Sequence, residues 1–263
     1  MSKQKHRGKR ANDDQYLGAQ WWPTLNLAVT DLSWLLSRGY TEKSALKLVG
    51  DRYRLNVRQR QAISRASCSD LARDSRVASM LSSQSVAGSD VVIDGYNLLI
   101  TVEAALAKGW VILSRDGCYR DIASVHGTYR RVEETFPALR LIGHKMQELG
   151  IENALWFLDK PVSNSGRLKT MMRELAEENG FNWDIRLVNS PDKTILEETD
   201  RIPISSDGWV IDHRDDWFNL AGYIIEGMEE VELLALKGTQ PLTLTFPDLP
   251  DWGEDSPENQ SEG

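Results

Sequence analysis

The chain has 263 residues, 41% of them hydrophobic and 27% charged, with a net charge of −8. That balance excludes wholesale disorder and leaves room for one large domain or two smaller ones. No apolar run approaches the roughly 20 residues that span a bilayer, and the N-terminus "MSKQKHRGKR" has no apolar signal core behind its charges. Cys68 and Cys118 stand far apart in no zinc or disulfide spacing, so the expected protein is cytoplasmic with buried free thiols.

Charge is distributed unevenly. Residues 1–76 hold 15 Lys+Arg against 7 Asp+Glu, a net +8, and the remainder holds 16 against 32, a net −16. A basic head on an acidic body points to an anionic partner, RNA or DNA first, with "KQKHRGKR" as a flexible basic arm. Behind it, "WWPTLNLAVTDLSWLLSRGY" sets Leu25, Val29, Leu32, Leu35 and Leu36 at helical spacing and stops near Gly39. "TEKSALKLVGDRYRL" predicts a second helix capped by Thr41, with Ala45, Leu48 and Val49 on one face. "NVRQRQAISRASCSDLA" predicts a third from Asn56, with Arg58, Arg60 and Arg65 outward. Residues 12–75 thus read as a small, basic, all-α module, either a helix-turn-helix or a plain bundle with a solvated Arg face. Trp21 and Trp22 read as core residues, with base stacking as the alternative.

Residues 76–90, rich in Ser, Ala and Gly, read as a linker. From 91 to 228 the pattern alternates. The expected strands are "VVID", "GWVILS", "NALWFLDK", "WDIRLVN" and "GWVIDH", and the expected helices are 98–108, 127–150, "GRLKTMMRELAEENG" and "PDKTILEET". Alternation of this kind predicts an α/β domain, a parallel sheet flanked by helices. Residues 229–263 read as a C-terminal extension whose acidic tail is disordered.

Strand ends in this domain carry acids: Asp94, Asp159, Asp207 after "PISSD", Asp212 in "GWVID", and Asp192 at the helix start "PDK". In a parallel sheet these ends share one edge, where ligands bind. Clustered carboxylates that stay ionised hold a divalent cation, and an oxygen-only set favours Mg²⁺ or Mn²⁺. Phosphodiester hydrolysis is the usual chemistry of such a site. Taken singly, each Asp also suits a helix cap or a turn. "RDGCYRDIASVHGTYRR" gathers Arg115, Arg120, Arg130 and Arg131 with Asp116, Asp121 and His126, either for phosphate contacts or as an internal ion-pair network. "DKPVSNSGRLK" opens a helix at Ser163, Asn164, Ser165 and Gly166, beside Arg167 and Lys169, and Lys193 follows Asp192. These too are candidate contacts to a nucleic-acid backbone.

"IDGYN", "PDKTIL" and "ISSDGWV" resemble three motifs of the PIN-like superfamily, especially its NYN branch. The whole chain resembles a prokaryotic family that joins a small helical module (domain-of-unknown-function family 434) to a PIN-like domain, through "DLSWLLSRGY", "SALKLVGDRY", "RDGCYRDIASVHGTYR", "LDKPVSNSGRLK" and "NSPDK". The resemblance implies a metal-dependent nuclease acting on RNA, with Asp94, Asp192 and Asp207 at the site and Asn97 assisting. NYN-type domains often have a second Asp where this chain has Trp209, a place that Asp159 or Asp212 would fill. The alternatives are a non-catalytic nucleic-acid-binding protein and a phosphatase-like hydrolase.

Overall fold

The structure, a computed structural model, describes residues 6–122 and 129–238. Its N-terminal helices are α1 (Asp13–Leu17), α2 (Trp22–Leu36), α3 (Glu42–Arg52), α4 (Val57–Ala66) and α5 (Asp70–Ser79). The three expected helices are α2, α3 and α4. Asn56 starts α4 with a reciprocal cap, accepting the Gln59 N–H at 3.0 Å and donating its own N–H to Gln59 Oε1 at 3.1 Å.

β1 (Asp90–Asp94) follows, then α6 (Gly95–Leu106), β2 (Val111–Leu113), β3 (Tyr119–Asp121), α7 (Thr135–Glu148), β4 (Asn153–Asp159), α8 (Ser165–Asn179), β5 (Trp183–Val188), α9 (Pro191–Glu197), β6 (Ile202–Ile204), α10 (Gly208–Asp212), α11 (Leu220–Glu226) and β7 (Leu233–Ala235). The main sheet has the order β5-β4-β1-β6, with every pairing parallel. Its buried strands alternate between two cores, as strand pleating requires. Val91, Ile93, Ala154, Trp156 and Leu158 enter the large core with α6, α7, α8 and α11, whereas Val92, Leu155 and Phe157 meet Ile195 of α9 and Val210 of α10. The same parity assigns Asp94 and Asp159 to the α9–α10 face.

Two expected strands behave otherwise. "GWVILS" leaves the main sheet and forms a second one, β3-β2-β7, antiparallel to β3 and parallel to β7. β2 is apolar on both faces because it is covered twice. Trp110 and Ile112 pack with Leu25, Leu32 and Ile63 of the helical module, and Val111 packs with Ala104, Ala105 and Ile225. β7, from the expected C-terminal extension, completes that sheet. "GWVID" is the short helix α10, because the Asp207 carboxylate accepts the Trp209 N–H at 2.8 Å and turns the chain directly after β6.

The expected linker is ordered. α5 runs to Ser79, Leu81 donates its N–H to the Trp217 carbonyl at 2.8 Å, and Trp217 Nε1 donates to the Arg76 carbonyl at 2.8 Å. Of the expected flexible arm, residues 6–10 are described, and they are docked. Arg7 reaches Glu103, which is fully buried, at 2.8 Å; His6 reaches Glu134 at 2.6 Å; Lys9 reaches Asp14 at 2.7 Å and Glu232 at 3.0 Å. Part of the basic head therefore meets carboxylates of the body. The acidic-tail expectation lies in 239–263, outside the described residues. No described helix is long and apolar enough to cross a membrane, and Cys68 and Cys118 are buried free thiols, as expected.

Candidate functional site

β1 is flanked by β4 on one side and β6 on the other, so the chain changes winding direction between β1 and β6. A crevice at the carboxyl ends of such a strand pair is where open α/β sheets bind ligands. Asp94 ends β1, and Ser205, Ser206 and Asp207 follow β6.

Hydrogen bonds tie the two strand ends together. The Ser205 hydroxyl donates to Asp94 Oδ2 at 3.2 Å and accepts the Asp207 N–H at 3.0 Å. Asn97 Oδ1 accepts both the Ser206 N–H at 2.9 Å and the Ser206 hydroxyl at 2.7 Å, pinning the loop after β6 to the first turn of α6. Asp94 also caps α6, accepting the Asn97 N–H at 3.4 Å. Gly95 is required here, since a Cβ would lie 2.8 Å from the Phe157 carbonyl oxygen and 2.6 Å from Leu158 Cδ2.

Electrostatics bring Asp192 and Asp159 into the same group. Burial, then the charges of Asp192 and Asp207, push the Asp94 carboxyl up to about 7. Burial, then Asp207 and Asp159, raise that of Asp192, and burial raises that of Asp159. Four acids from four segments thus share one poorly hydrated edge, and capping and clustering coexist in Asp94 and Asp207. Among the described residues, no three Asp, Glu, His or Cys side chains close on a single point as a full protein cage for a metal would. Mg²⁺ does not need such a cage. It is usually held by one or two carboxylates, with waters and substrate phosphates completing the shell. The all-oxygen donor set and the mutual repulsion fit a hard cation.

The other candidates divide by location. Asp212 does not join the cluster. Its two oxygens take Arg76 Nε at 2.6 Å and Nη2 at 2.7 Å, because α10 turns it toward α5. Arg76 also holds Asp116 at 2.7 Å, which in turn takes Arg120 at 2.8 Å through both oxygens. Arg120 is buried, and its Nε donates to the Ser206 carbonyl at 2.8 Å, so this guanidinium supports the site loop from behind. Here the ion-pair alternative for the Arg-rich stretch describes the geometry. A Cβ on Gly208 would stand 2.5 Å from Arg76, so glycine makes room for the network. Asp121 is buried with its Oδ2 3.4 Å from the Thr101 hydroxyl, and Arg115 pairs with Asp70. His126 lies outside the described residues.

Arg130, Asn164 and Arg167 line one cleft of about 540 Å³ with Arg131 and Glu174, and none of Asp94, Asp159, Asp192 and Asp207 is in its lining. Ser163 is exposed beside it and its carbonyl accepts the Tyr129 N–H at 3.2 Å, while Lys193 is exposed next to Asp192. A second cleft, of about 570 Å³, separates α4 and α5 from Asp207 and the half-exposed Trp209, whose ring lies 4.7 Å from that of His213. The Trp21 and Trp22 indoles donate to the Gln15 and Leu17 carbonyls at 3.0 and 2.9 Å, as structural contacts. Sequence reasoning missed Ser205, Ser206 and Arg76. The Ser-x-Asp spacing was the available signal for Ser205; nothing local marks Arg76.

Residues 24–78 match a family described as "Protein of unknown function (DUF434)", which coincides with the helical module. The chain is 28% identical over 196 residues to "Uncharacterized protein MJ0935" of Methanocaldococcus jannaschii, over 72% of this chain and 94% of that protein. No solved structure matches. Residues 83–223 match a second family across more than half of the sequence, and the two matches meet within 76–90. On that match, the chain belongs to the family described as "Domain of unknown function (DUF5616)".

Proposed function

We propose that this protein is a PIN-like, Mg²⁺- or Mn²⁺-dependent nuclease that hydrolyses RNA phosphodiester bonds at the carboxyl edge of its main sheet. The observation that carries the reading is the gathering of Asp94, Asp192 and Asp207 at the switch between β1 and β6, where their charges oppose one another. Repulsion of this kind raises the free energy of the folded protein and is relieved by a cation. Asp94, Asp192 and Asp207 would hold the ion, with Asp159 beside them. The ion would lower the pKa of a bound water and offset charge developing on phosphate oxygens.

The remaining roles belong to the chain. Ser205, through its hydroxyl, fixes the rotamer of Asp94 and the backbone of Asp207 together. Asn97 holds Ser206, and Arg120 holds the same residue's carbonyl, so the loop bearing Asp207 is clamped from both sides. Preorganisation of this sort reduces the rearrangement needed when phosphate arrives.

A second reading, RNA binding without cleavage, draws on Trp209, which stands where a further Asp is common in the resembling domains. Incubating the protein with single-stranded and structured RNA, with Mn²⁺ and with chelator, separates the two. The nuclease reading expects metal-dependent cleavage that Asp94→Asn abolishes. Binding with no cleavage under any metal overturns it, and so does phosphate release from small phosphomonoesters with RNA left intact.

A further inference from the structure

The cleft at the start of α8 has a composition that the acid edge does not explain. Its floor is apolar, made by Phe136 of α7 with Leu168 and Met171 of α8, and its rim carries Arg130, Arg131 and Arg167 with one exposed carboxylate, Glu174. All three arginines are exposed, and none pairs with a carboxylate among the described residues. This sets them apart from Arg7, Arg58, Arg76 and Arg120, each of which has an acidic partner. The Arg131 guanidinium lies 5.5 Å from the centre of the Phe136 ring, so it extends the flat apolar surface as well as charging it. The cleft's volume, about 540 Å³, falls within the roughly 300–1,000 Å³ of small-ligand clefts.

Two details join this cleft to the acid edge. Tyr129, on its wall, packs its ring 5.3 Å from that of Tyr96, which lies between Asp94 and Asn97 in the chain. Asn164, held at a φ of 73°, donates its side-chain amide to the Tyr129 carbonyl at 3.0 Å instead of capping α8, so the first turn of that 15-residue helix has no side-chain cap. Uncapped N–H groups and free arginines both favour an anion.

We infer that this cleft binds one unpaired nucleotide of a single-stranded nucleic acid, its base on the Phe136–Met171 floor and its phosphates against Arg130, Arg131 and Arg167. The inference deepens the proposed nuclease reading by naming its substrate class as single-stranded. Three arginines against the single carboxylate of Glu174 leave the cleft net positive, and that charge decides for a polyanion. The apolar floor decides for an unpaired base, since a base in a duplex has both faces covered by its neighbours. Affinity would come from the arginines and the choice of single strand from the floor.

The test uses the full chain in chelator, where no metal-dependent cleavage occurs, with fluorescence anisotropy of a labelled, unstructured RNA and of its duplex across a salt series. Arg131→Glu and Arg167→Glu should each weaken single-strand binding about tenfold and flatten the salt slope by about 0.7 for each phosphate that is no longer neutralised. Phe136→Leu, which keeps bulk and removes the ring, should reduce the preference for single strand over duplex. Arg173→Glu, on the same helix outside the cleft, should change affinity less than about twofold. Equal loss in the Arg173 and Arg167 variants, equal binding of duplex, or competition by inorganic phosphate as strong as by a nucleoside monophosphate would each overturn the inference. The two readings fail separately: an uncut RNA that still needs Arg131 and Arg167 removes the nuclease and leaves the cleft, whereas Asp94-dependent cleavage indifferent to these arginines does the reverse.

Discussion

Replacing Asp94 by Asn should make the metal-free protein more stable, and increasingly so as pH rises. Asp94 is buried, and its carboxyl is pushed up to about 7 from an ordinary value of 3.8. Asn keeps one oxygen, which can accept the Asn97 N–H as Oδ1 does, while its amide nitrogen takes the place of Oδ2 and reverses the bond, donating to the Ser205 hydroxyl. The charge is lost and one hydrogen bond changes direction. A carboxyl whose folded pKa is raised favours the folded state in its protonated form. Its cost is absent below the unfolded pKa, accumulates between the two values, and is complete above the folded one. At about 1.4 kcal/mol per unit, that cost is about 2 kcal/mol near pH 5 and about 4 kcal/mol near pH 8. Urea unfolding in chelator at those two pH values reads the difference directly, provided the slope of the transition is unchanged. The gain from Asp94→Asn should about double between them. In the wild type, added Mn²⁺ should raise the midpoint through mass action, and in the variant that increment should shrink. A variant less stable than wild type at both pH values, or a gain independent of pH, would refute the claim that repelling carboxylates share this edge.

Arg76→Met should destabilise by less than the roughly 3–5 kcal/mol of a fully orphaned buried charge, because Asp116 keeps Arg120 and Asp212, which loses its partner, is partly exposed. Burial opposes the Asp116 charge, but Arg120 and Arg76 overcome it and hold that carboxyl well below the usual range; its contribution is complete at neutral pH and is given up only in strong acid. Acid unfolding followed by circular dichroism should therefore begin at higher pH in Arg76→Met than in wild type. Arg7→Met should cost more, about 3–5 kcal/mol, by leaving fully buried Glu103 with only hydroxyl partners, and the double change with Glu103→Met should recover most of it in urea titrations. Burial pushes the Cys68 thiol up to about 11 and that of Cys118 to about 12, so a thiol reagent at about pH 8 should label neither in the native protein and both in urea.

Local pattern carried the elements whose partners are close in sequence or whose side chains repeat with a period. Leu25, Val29 and Leu32 mark α2 by spacing alone, and "VVID" marks a strand buried on both faces. Asp94 and Asp207 were legible for the same reason, since each stands at a strand end where the apolar run breaks. The direction of Asp212 is not legible locally, because it depends on whether "GWVID" is strand or helix, and one cap at Asp207 decides that. Arg7 reads as part of a free arm because its partner lies 96 positions away. Glu103 itself held a clue, as a lone carboxylate within the apolar "LLITVEAAL" must find a cation. The position of β2 in a second sheet had no local signature, because its apolar letters suit either sheet equally.

The core shared by α2, α4, β2 and β7 has a consequence for biosynthesis. Leu25 and Ile63 emerge from the ribosome early, yet Leu234 and Leu236, which close that core, follow about 170 residues after Ile63. At about 5–20 residues per second, the nascent helices wait on the order of ten seconds or more with greasy surfaces open to the cell. Chains stalled or truncated before β7 should therefore keep that apolar face uncovered and aggregate more readily than the full chain.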